Sequence, residues 1–323
     1  MSFTSRSVAP SDFETCVSIL REGFAFDPPR KKKLLQLWKQ MDAEKAFISV
    51  AVEDRRLPAA KRVVGFGLSV FVTDAFARKI KAGAPFVSRE FLDQWAKGER
   101  PYLLRKEVGE ANSGEGLNLL VLHYGWREDF LSAEDLAKVR LKQTEAFIQN
   151  HAGYKSKEYL HEVFGPELRD FVLAAGSLLR HDYAGRKWKT LLARTAKKDW
   201  PYLTGFTAAE VMARSGTAAS IFQAKGVAPH FGFSAGEQDM LARALTGETD
   251  ERLAKSLGLS PWTIKKRWQA VYLKVAKADA SILEEGAARE KSAGDRSLQK
   301  RRYLMEYLRH HPEELRPQSP RKA

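Results

Sequence analysis

Residues 233–275 read FSAGEQDMLARALTGETDERLAKSLGLSPWTIKKRWQAVYLKV, and this stretch carries the start and stop signals of three short helices. Ser234 with Glu237 is the pattern of a capping box, in which each side chain bonds the backbone N–H of the other residue. Further signals follow in order along the chain: Gly247, Thr249 or Asp250, Gly258, and Ser260 with Pro261. The turn between the second and third helices is only three residues long, Gly-Leu-Ser. This arrangement predicts an all-α helix-turn-helix domain, whose last helix enters the major groove of DNA.

The third predicted helix has an apolar side and a basic side. Ile264, Val271 and Val275 recur at helical spacing and form the inner stripe, with Trp268 beside them. Cationic, amide and aromatic side chains occupy the outer side, where a recognition helix needs partners for phosphates and base edges. We expect the DNA-binding residues to be Trp262, Thr263, Lys265, Lys266, Arg267 and Gln269. The alternative is a small helical subdomain with a solvated basic face.

This segment resembles the LuxR-type helix-turn-helix of bacterial transcription regulators. The shared residues are Glu237, Gly247, Leu253-Ala254, Leu257-Gly258-Leu259-Ser260 and Thr263-Ile264-Lys265. The resemblance implies that Lys265, Lys266 and Gln269 approach base edges, and that Thr263 and Arg267 contact phosphates. Region 4 of bacterial sigma factors has a similar pattern, so RNA polymerase is an alternative partner. A homodimer is a reasonable expectation, because helix-turn-helix proteins commonly read two half-sites.

The chain is basic along its whole length. Its formal charge is +14 at pH 7, and its pI is about 9.7. From residue 233 to the end, 18 Lys and Arg stand against 13 Asp and Glu, so most of the excess positive charge lies upstream. Such a charge indicates a polyanionic partner, and double-stranded DNA is favoured over a membrane surface.

Cysteine content and the first residues indicate the compartment. Cys16 is the only cysteine, which excludes an intrachain disulfide and a Cys-rich zinc site. The start, MSFTSRSVAPSDFE, has no apolar signal core, and no run approaches 18 apolar residues. We therefore expect a cytoplasmic, nucleoid-associated protein with no membrane segment. His151, His161 and His181 lack the spacing of metal ligands, so we expect no metal site.

Upstream of residue 201 the sequence predicts a layered α+β domain with a mostly antiparallel sheet. Runs rich in Val and Phe at 47–52 and 63–72 read as an antiparallel pair, and LNLLVLHY at 117–124 reads as a buried central strand. Gly65 and Gly67 indicate a bulge or a close backbone approach. His123 and Tyr124 are a candidate acid–base pair, although ordinary core residues are the simpler interpretation. We expect helices at 13–24, 30–41, 88–97, 131–150, 157–164 and 166–175, and a last strand at 177–183.

The order of these elements resembles the GNAT acetyltransferase superfamily over about residues 1–184. Active members bind the coenzyme A pyrophosphate on a glycine-rich loop, where backbone N–H groups at a helix start hold the phosphates. The corresponding stretch here, Gly125 to Leu131, has one glycine and two carboxylates. We therefore expect a non-catalytic domain without a cofactor, which senses an unidentified small-molecule ligand or mediates dimerisation. A DNA-tethered acetyltransferase is the alternative.

These patterns divide the chain into four parts. We expect an α+β sensing or assembly domain at 1–200, a connection rich in Thr, Ala, Ser and Gly at 201–230, a helix-turn-helix domain at 231–285, and an amphipathic helix and tail at 286–323. The predicted function is a sequence-specific DNA-binding transcriptional regulator that is not an enzyme.

Overall fold

The computed structural model describes residues 3–83, 85–183, 188–212, 228–284 and 293–319. The chain forms two compact units, Met1–Gln223 and Ala224–Ala323. The first unit is built on a seven-stranded sheet. The strands are β1 Phe3–Arg6, β2 Ile48–Asp54, β3 Val63–Val72, β4 Leu117–Trp126, β5 Ser156–Phe164, β6 Leu178–His181 and β7 Pro201–Thr207.

The helices of the first unit pack around this sheet, and further helices form the second unit. Those of the first unit are α1 Phe13–Ser18, α2 Pro28–Ala43, α3 Asp74–Lys81, α4 Val87–Ala96, α5 Arg105–Ser113, α6 Ala133–His151, α7 Pro166–Ala174, α8 Lys189–Leu192 and α9 Ala208–Met212. Those of the second unit are α10 Ala235–Leu245, α11 Asp250–Leu257, α12 Pro261–Ala278, α13 Ser281–Glu284 and α14 Ala293–His310. Within the described part of the chain, we find no helix with the length and apolar character that a membrane crossing requires.

The strands follow the order β1-β2-β3-β4-β5-β7-β6. Neighbouring described strands are antiparallel except β4 and β5, which run parallel. The chain passes from β4 to β5 through α6, a helical crossover of the kind that parallel neighbours require. The mixed, mostly antiparallel sheet predicted for the N-terminal part is therefore confirmed.

Both faces of the sheet are covered. One face packs against α1, α2, α3 and α4, and its buried side chains include Phe13, Leu34, Trp38, Phe66, Phe76 and Phe91. The opposite face packs against α6, and its buried side chains include Val50, Val52, Val64, Val139 and Ala146. Because successive strand side chains point to opposite faces, each strand contributes to both layers.

Two glycines in β3 allow α6 to cross the sheet closely. A Cβ on Gly65 would lie 2.8 Å from Cγ1 of Val139, and a Cβ on Gly67 would lie 2.9 Å from Nε2 of Gln143. Gln143 Nε2 donates to the carbonyl of Phe66 at 2.8 Å. The close approach at these glycines comes from side chains of α6 rather than from another backbone, and α6 is anchored across β3 at this point.

Residues 157–164 belong to a strand, so the helix predicted there is wrong. β5 pairs with β4 on one side and with β7 on the other, and burial alternates along its first half. The alternation is hidden in the sequence because two buried positions carry glutamates. Glu158 pairs with Lys81 at 2.7 Å, and Glu162 accepts from the backbone N–H groups of Phe86 and Val87, so both carboxylates have partners that make their burial tolerable.

The predicted connection at 201–230 begins with a strand of the sheet, which corrects the boundary at residue 200. β7 lies between β5 and β6 and pairs antiparallel with both. A Cβ on Gly205 would lie 2.3 Å from the carbonyl oxygen of Tyr159 on β5. Gly205, one of the small residues that suggested a linker, therefore allows close packing of β7 against β5. Residues 213–227 of the predicted connection lie outside the described residues.

The second unit begins its helices at the predicted caps. Ser234 Oγ accepts from the backbone N–H of Glu237, and the Glu237 carboxylate accepts from that of Ser234, which completes the capping box at α10. Thr249 caps α11, and Ser260 caps α12. Gly258 adopts a left-handed conformation with φ of 63° and ends α11.

Helix α14, which belongs to the predicted C-terminal segment 286–323, packs on its own unit. Its Leu304 and Leu308 are buried in one cluster with Met240 of α10 and Val271 of α12. The carboxylate of Glu314, just beyond α14, accepts from the backbone N–H of His230 at 2.6 Å and from that of Phe231 at 3.1 Å. The described part of the C-terminal segment therefore completes the core of the second unit.

Candidate functional site

A cavity of about 200 Å³ lies in the first unit between the sheet, α6 and α7. Its wall is mostly apolar, and the apolar lining residues include Val121, Trp126, Phe147, Leu168, Phe171 and Val172. Phe171 is 65% exposed, so α7 forms the part of the wall that reaches solvent. An apolar cavity with a few polar groups in its wall is the usual form of a small-molecule site.

The cavity lies where β4 and β5 stop pairing. Their parallel register begins at Leu117 with Ser156 and ends at Val121 with His161, although both strands continue beyond these residues. The strands therefore separate at this point. Tyr124, further along β4, and His161 both line the space that results.

His161 places a neutral imidazole in the cavity wall. Its Nδ1 lies 3.2 Å from the hydroxyl of Tyr159, and the ring of Tyr124 packs edge-on at 5.0 Å. Burial lowers the pKa of His161 to about 3, so the ring is uncharged at neutral pH. Nε2 of His161 and Oγ of Ser177, also in the wall, are buried without a hydrogen-bond partner among the described residues. Both atoms can therefore bond a polar atom of a bound molecule.

Four wall residues form a row across the sheet. Ile48 pairs with Ser69, Ser69 with Val121, and Val121 with His161. Neighbouring strands are about 4.8 Å apart, so the Cα atoms of Ser69 and His161 are separated by roughly 10 Å across Val121. The row presents a hydroxyl and an imidazole on either side of one apolar side chain. It could not be predicted from the sequence, because assigning 157–164 to a helix removes His161 from the sheet.

His123 and Tyr124 do not form an acid–base pair. The pairing of β3 with β4 shifts after Leu68 because Leu122 is an extra residue on β4, and this bulge turns His123 toward α2 while Tyr124 lines the cavity. Nδ1 of His123 lies 2.6 Å from Oε1 of Glu22, and both side chains are almost fully buried. The simpler interpretation of His123 as a core residue is confirmed.

The turn between β4 and α6 carries Glu128, one of the two carboxylates expected to disfavour phosphate, and Asp135 follows in the first turn of α6. Ser132 caps α6 by accepting from the backbone N–H of Asp135 at 3.1 Å. Asp135 pairs with Arg56 at 3.0 Å, and Glu128 pairs with Arg140 at 3.3 Å. Acidic side chains therefore occupy the helix start, where an anionic ligand would otherwise be attracted.

Four of the six residues predicted to bind DNA are exposed on one side of α12: Trp262, Lys265, Lys266 and Gln269. They recur at spacings of three and four residues, so they share a helix face. Nζ of Lys266 lies 5.4 Å from the centroid of the Trp262 ring, so the indole stacks beneath this charge.

The other two predicted residues are partly engaged within the second unit. Oγ1 of Thr263 lies 2.9 Å from Oγ of Ser260 in the helix cap. Nη1 of Arg267 donates to the carbonyl of Gly236 at 3.2 Å, and a Cβ on Gly236 would lie 3.1 Å from this guanidinium. Arg267 therefore joins α12 to the start of α10 and has fewer donors to offer a phosphate than the exposed lysines.

No family model and no curated protein sequence matches the chain. Several solved structures are similar to it. The C-terminal condensation domain of Ebony, in complex with beta-alanyl-dopamine, has 12% identity over 64% of this chain and 98% of that chain, with a TM-score of 0.42. FeeM, an N-acyl amino acid synthase from uncultured soil microbes, has 9% identity over 64% and 89%, with a TM-score of 0.34. The spermidine/spermine N-acetyltransferase SpeG from Vibrio cholerae has 10% identity over 66% and 97%, with a TM-score of 0.37. The likeness is one of fold.

This finding corrects the expectation that the chain is not an enzyme. That expectation rested on the acidic turn between β4 and α6. The similar structures are a condensation domain, a synthase and an acetyltransferase, and their names assign no reaction to this chain. The cavity of the first unit is the candidate site because of its own geometry and wall residues.

Proposed function

We propose that the chain is an acyltransferase joined to a DNA-binding domain, and that the cavity holds the acyl group of a thioester donor. The observation that carries this proposal is the mostly apolar cavity at the separation of β4 and β5, with Nε2 of His161 buried in its wall. An acyl chain gains roughly 25 cal/mol for each Å² of apolar surface that it removes from water. His161 and Ser177 supply hydrogen-bonding atoms to the polar part of the donor or acceptor.

The acidic turn at the start of α6 decides how the donor is recognised. Glu128 and Asp135 already pair with Arg140 and Arg56. Phosphate groups therefore contribute little affinity there, and the acyl chain supplies most of it. Affinity should rise with the length of the acyl chain until the cavity is filled, and an amine is a suitable acceptor because the amide that forms is more stable than the thioester.

Two neighbouring alanines at the C-terminal end of α7 allow a matched test. Ala175 lines the cavity, whereas Ala174 is exposed and is not part of the wall. We expect Ala175→Trp to fill the cavity and weaken binding of a medium-chain acyl-coenzyme A by about tenfold or more, a loss of at least ~1.4 kcal/mol. Ala174→Trp should leave binding unchanged. Calorimetry and the release of free thiol in the presence of amines measure binding and transfer, and no binding of any acyl thioester would refute the proposal.

The DNA-binding half of the proposal rests on α12. Trp262, Lys265, Lys266 and Gln269 are exposed on one face of a helix that follows a tight turn, and the segment resembles a LuxR-type helix-turn-helix. Lys265, Lys266 and Gln269 are assigned to base edges, where Lys pairs with guanine and Gln with adenine. With a DNA-binding domain that contains α12, the chain is a regulator that transfers acyl groups while it is bound to the chromosome.

Lys266→Ala tests this assignment. We expect it to weaken binding to the preferred site by about 1–3 kcal/mol, and to weaken binding to random duplex less, if Lys266 contacts a base. Lys300→Ala is the control, because it removes the same charge from an exposed position on α14. Equal losses on both duplexes would make Lys266 a phosphate contact only. The DNA half fails if selection from random oligonucleotides yields no preferred sequence, and copurification with core RNA polymerase would favour a sigma-like subunit.

A further inference from the structure

Ser69 and His151 form a hydrogen-bonded pair in the wall of the cavity. Oγ of Ser69 lies 2.8 Å from Nε2 of His151, and both residues line the cavity. Nδ1 of His151 lies 2.7 Å from the carbonyl oxygen of Phe147. We propose that Ser69 is a nucleophile, activated by His151, which carries the acyl group as an ester during transfer. This inference rests on the proposed acyl transfer and names its covalent intermediate.

The hydrogen bonds fix the tautomer of His151. A carbonyl oxygen can only accept, so Nδ1 must carry a proton to bond Phe147. In the neutral ring Nε2 is then an acceptor, and the hydroxyl of Ser69 donates to it. Oγ of Ser69 also lies 3.2 Å from the carbonyl of Ile48, which is the longer of its two contacts. The hydroxyl proton is thus directed at the base that would remove it, within the distance that general-base catalysis requires.

The position of His151 favours the charge that forms on its ring when it takes a proton. His151 is the last residue of α6, and the C-terminal end of a helix carries a partial negative charge. In serine hydrolases an aspartate stabilises the corresponding imidazolium. Here the helix end and the carbonyl of Phe147 supply that stabilisation. The ring packs against Phe147 with centroids 4.2 Å apart and against Phe71 at 6.4 Å, which limits its rotation.

The reaction runs in two balanced steps. Oγ of Ser69 attacks the thioester carbonyl, the C–O bond forms and the C–S bond breaks. His151 Nε2 takes the hydroxyl proton and passes it to the leaving sulfur, which departs as a thiol. An amine then attacks the ester of Ser69, the C–N bond forms and the C–O bond breaks. His151 moves the amine proton back to Oγ, so thioester and amine become amide and thiol.

Covalent labelling of the full chain tests the nucleophile. A fluorophosphonate forms a Ser–O–P bond and releases fluoride, so intact mass and peptide mapping locate a reactive serine. We expect one adduct on the peptide that contains Ser69 and none in Ser69→Ala. Thr144→Ala is the matched control, because Thr144 also lines the cavity but its hydroxyl donates to the carbonyl of Arg140 and not to a histidine, so this variant should label normally. His151→Gln should slow labelling by about 10²-fold or more, because it removes the base.

Measurements of acyl transfer distinguish a failure of this inference from a failure of the proposed function. With a medium-chain acyl-coenzyme A and an amine, we expect an acyl adduct on Ser69, loss of turnover in Ser69→Ala and partial return in Ser69→Cys. Undiminished turnover in a folded Ser69→Ala without an adduct overturns the nucleophile and leaves the acyltransferase in place. A fluorophosphonate adduct on Ser69 without transfer to any amine supports the nucleophile and overturns the acyltransferase. Neither labelling nor transfer in the unmodified chain overturns both.

Discussion

The imidazole of His161 is held between Tyr124 and Tyr159 in a wall where Nε2 is buried. Burial lowers its pKa to about 3, whereas a histidine in an unfolded chain titrates near ~6.5. Between these two values the unfolded chain binds a proton that the folded chain does not. The free energy of unfolding therefore falls as the pH falls from about 6.5 toward about 3.

A change to phenylalanine removes this dependence. We expect His161→Phe to keep the packing against Tyr124 while lacking the ionisable ring. Between pH 7 and pH 5 the unmodified protein should lose about 2 kcal/mol more stability than the variant, because only its unfolded state gains this proton. Urea unfolding at several pH values measures the difference. If the free energies of unfolding of the two proteins changed with pH in parallel, His161 would be taking up its proton as readily in the folded state as in the unfolded state.

Gly125 is a residue at which a single methyl group should be costly. Leu20 forms an isolated bridge with Gly125, and a Cβ on Gly125 would lie 1.9 Å from the carbonyl oxygen of Ile19. We expect Gly125→Ala to lower the free energy of unfolding by about 1–3 kcal/mol, because backbone must move to admit the methyl group. Gly23→Ala is the control, since its Cβ would lie at an ordinary 3.7 Å from Cβ of Leu20. Urea unfolding compares them, and equal stabilities would contradict the close approach.

At the level of helices and strands, the second unit could be predicted because its signals are local. Ser234 and Ser260 cap helices by bonding residues three positions away, so the sequence alone contains both partners. The strands β5 and β7 could not be predicted, because their partners are distant in sequence. Glu162 in β5 reads as a surface residue until the N–H groups of Phe86 and Val87 are brought to it. The candidate site was missed for the same reason.

One arginine adds polar contacts between helix α14 and helices α11 and α12, beside the apolar core that they share. Nη1 of Arg301 lies 2.7 Å from Oδ1 of Asp250, and its guanidinium lies 4.4 Å from the centroid of the Trp268 ring. Nε1 of Trp268 donates to the same Asp250 oxygen at 3.2 Å. The three side chains therefore form one cluster, in which each contact helps to orient the other two.

Replacing this arginine should loosen α14. We expect Arg301→Met to lower the stability of the second unit by about 1–2 kcal/mol, because the ion pair and the cation–π contact are both lost. Lys300→Met is the control at an exposed neighbouring position. The double variant with Trp268→Phe should be less destabilised than the sum of the single variants, because the residues share a partner. Additive effects in urea unfolding would mean that the contacts act independently.

For the molecule as a whole, the charge of +14 predicts that the proposed DNA binding weakens as the salt concentration rises. Each neutralised phosphate contributes about 0.9 to the slope of log affinity against log salt concentration. We expect Lys265→Ala and Lys266→Ala to leave this slope unchanged if both contact bases, and to reduce it by about 0.9 each if they contact phosphates. Fluorescence anisotropy on random and preferred duplexes at several salt concentrations measures the slope. A flat salt response would leave the basic surface without a role in DNA binding.

The insertion of β7 between β5 and β6 has a consequence for synthesis on the ribosome. β6 leaves the exit tunnel before β7, and in the finished sheet its strand partner is β7. The nascent domain must therefore wait with an open edge until residues 201–207 emerge, and that edge is a template for association with other nascent chains. A gene truncated after codon 200 should yield aggregates, whereas one truncated after codon 223 should yield a monomeric first unit. Because the chain is made from its N-terminus, the sheet that bears the cavity is completed only after the ribosome has translated β7, shortly before it reaches the second unit.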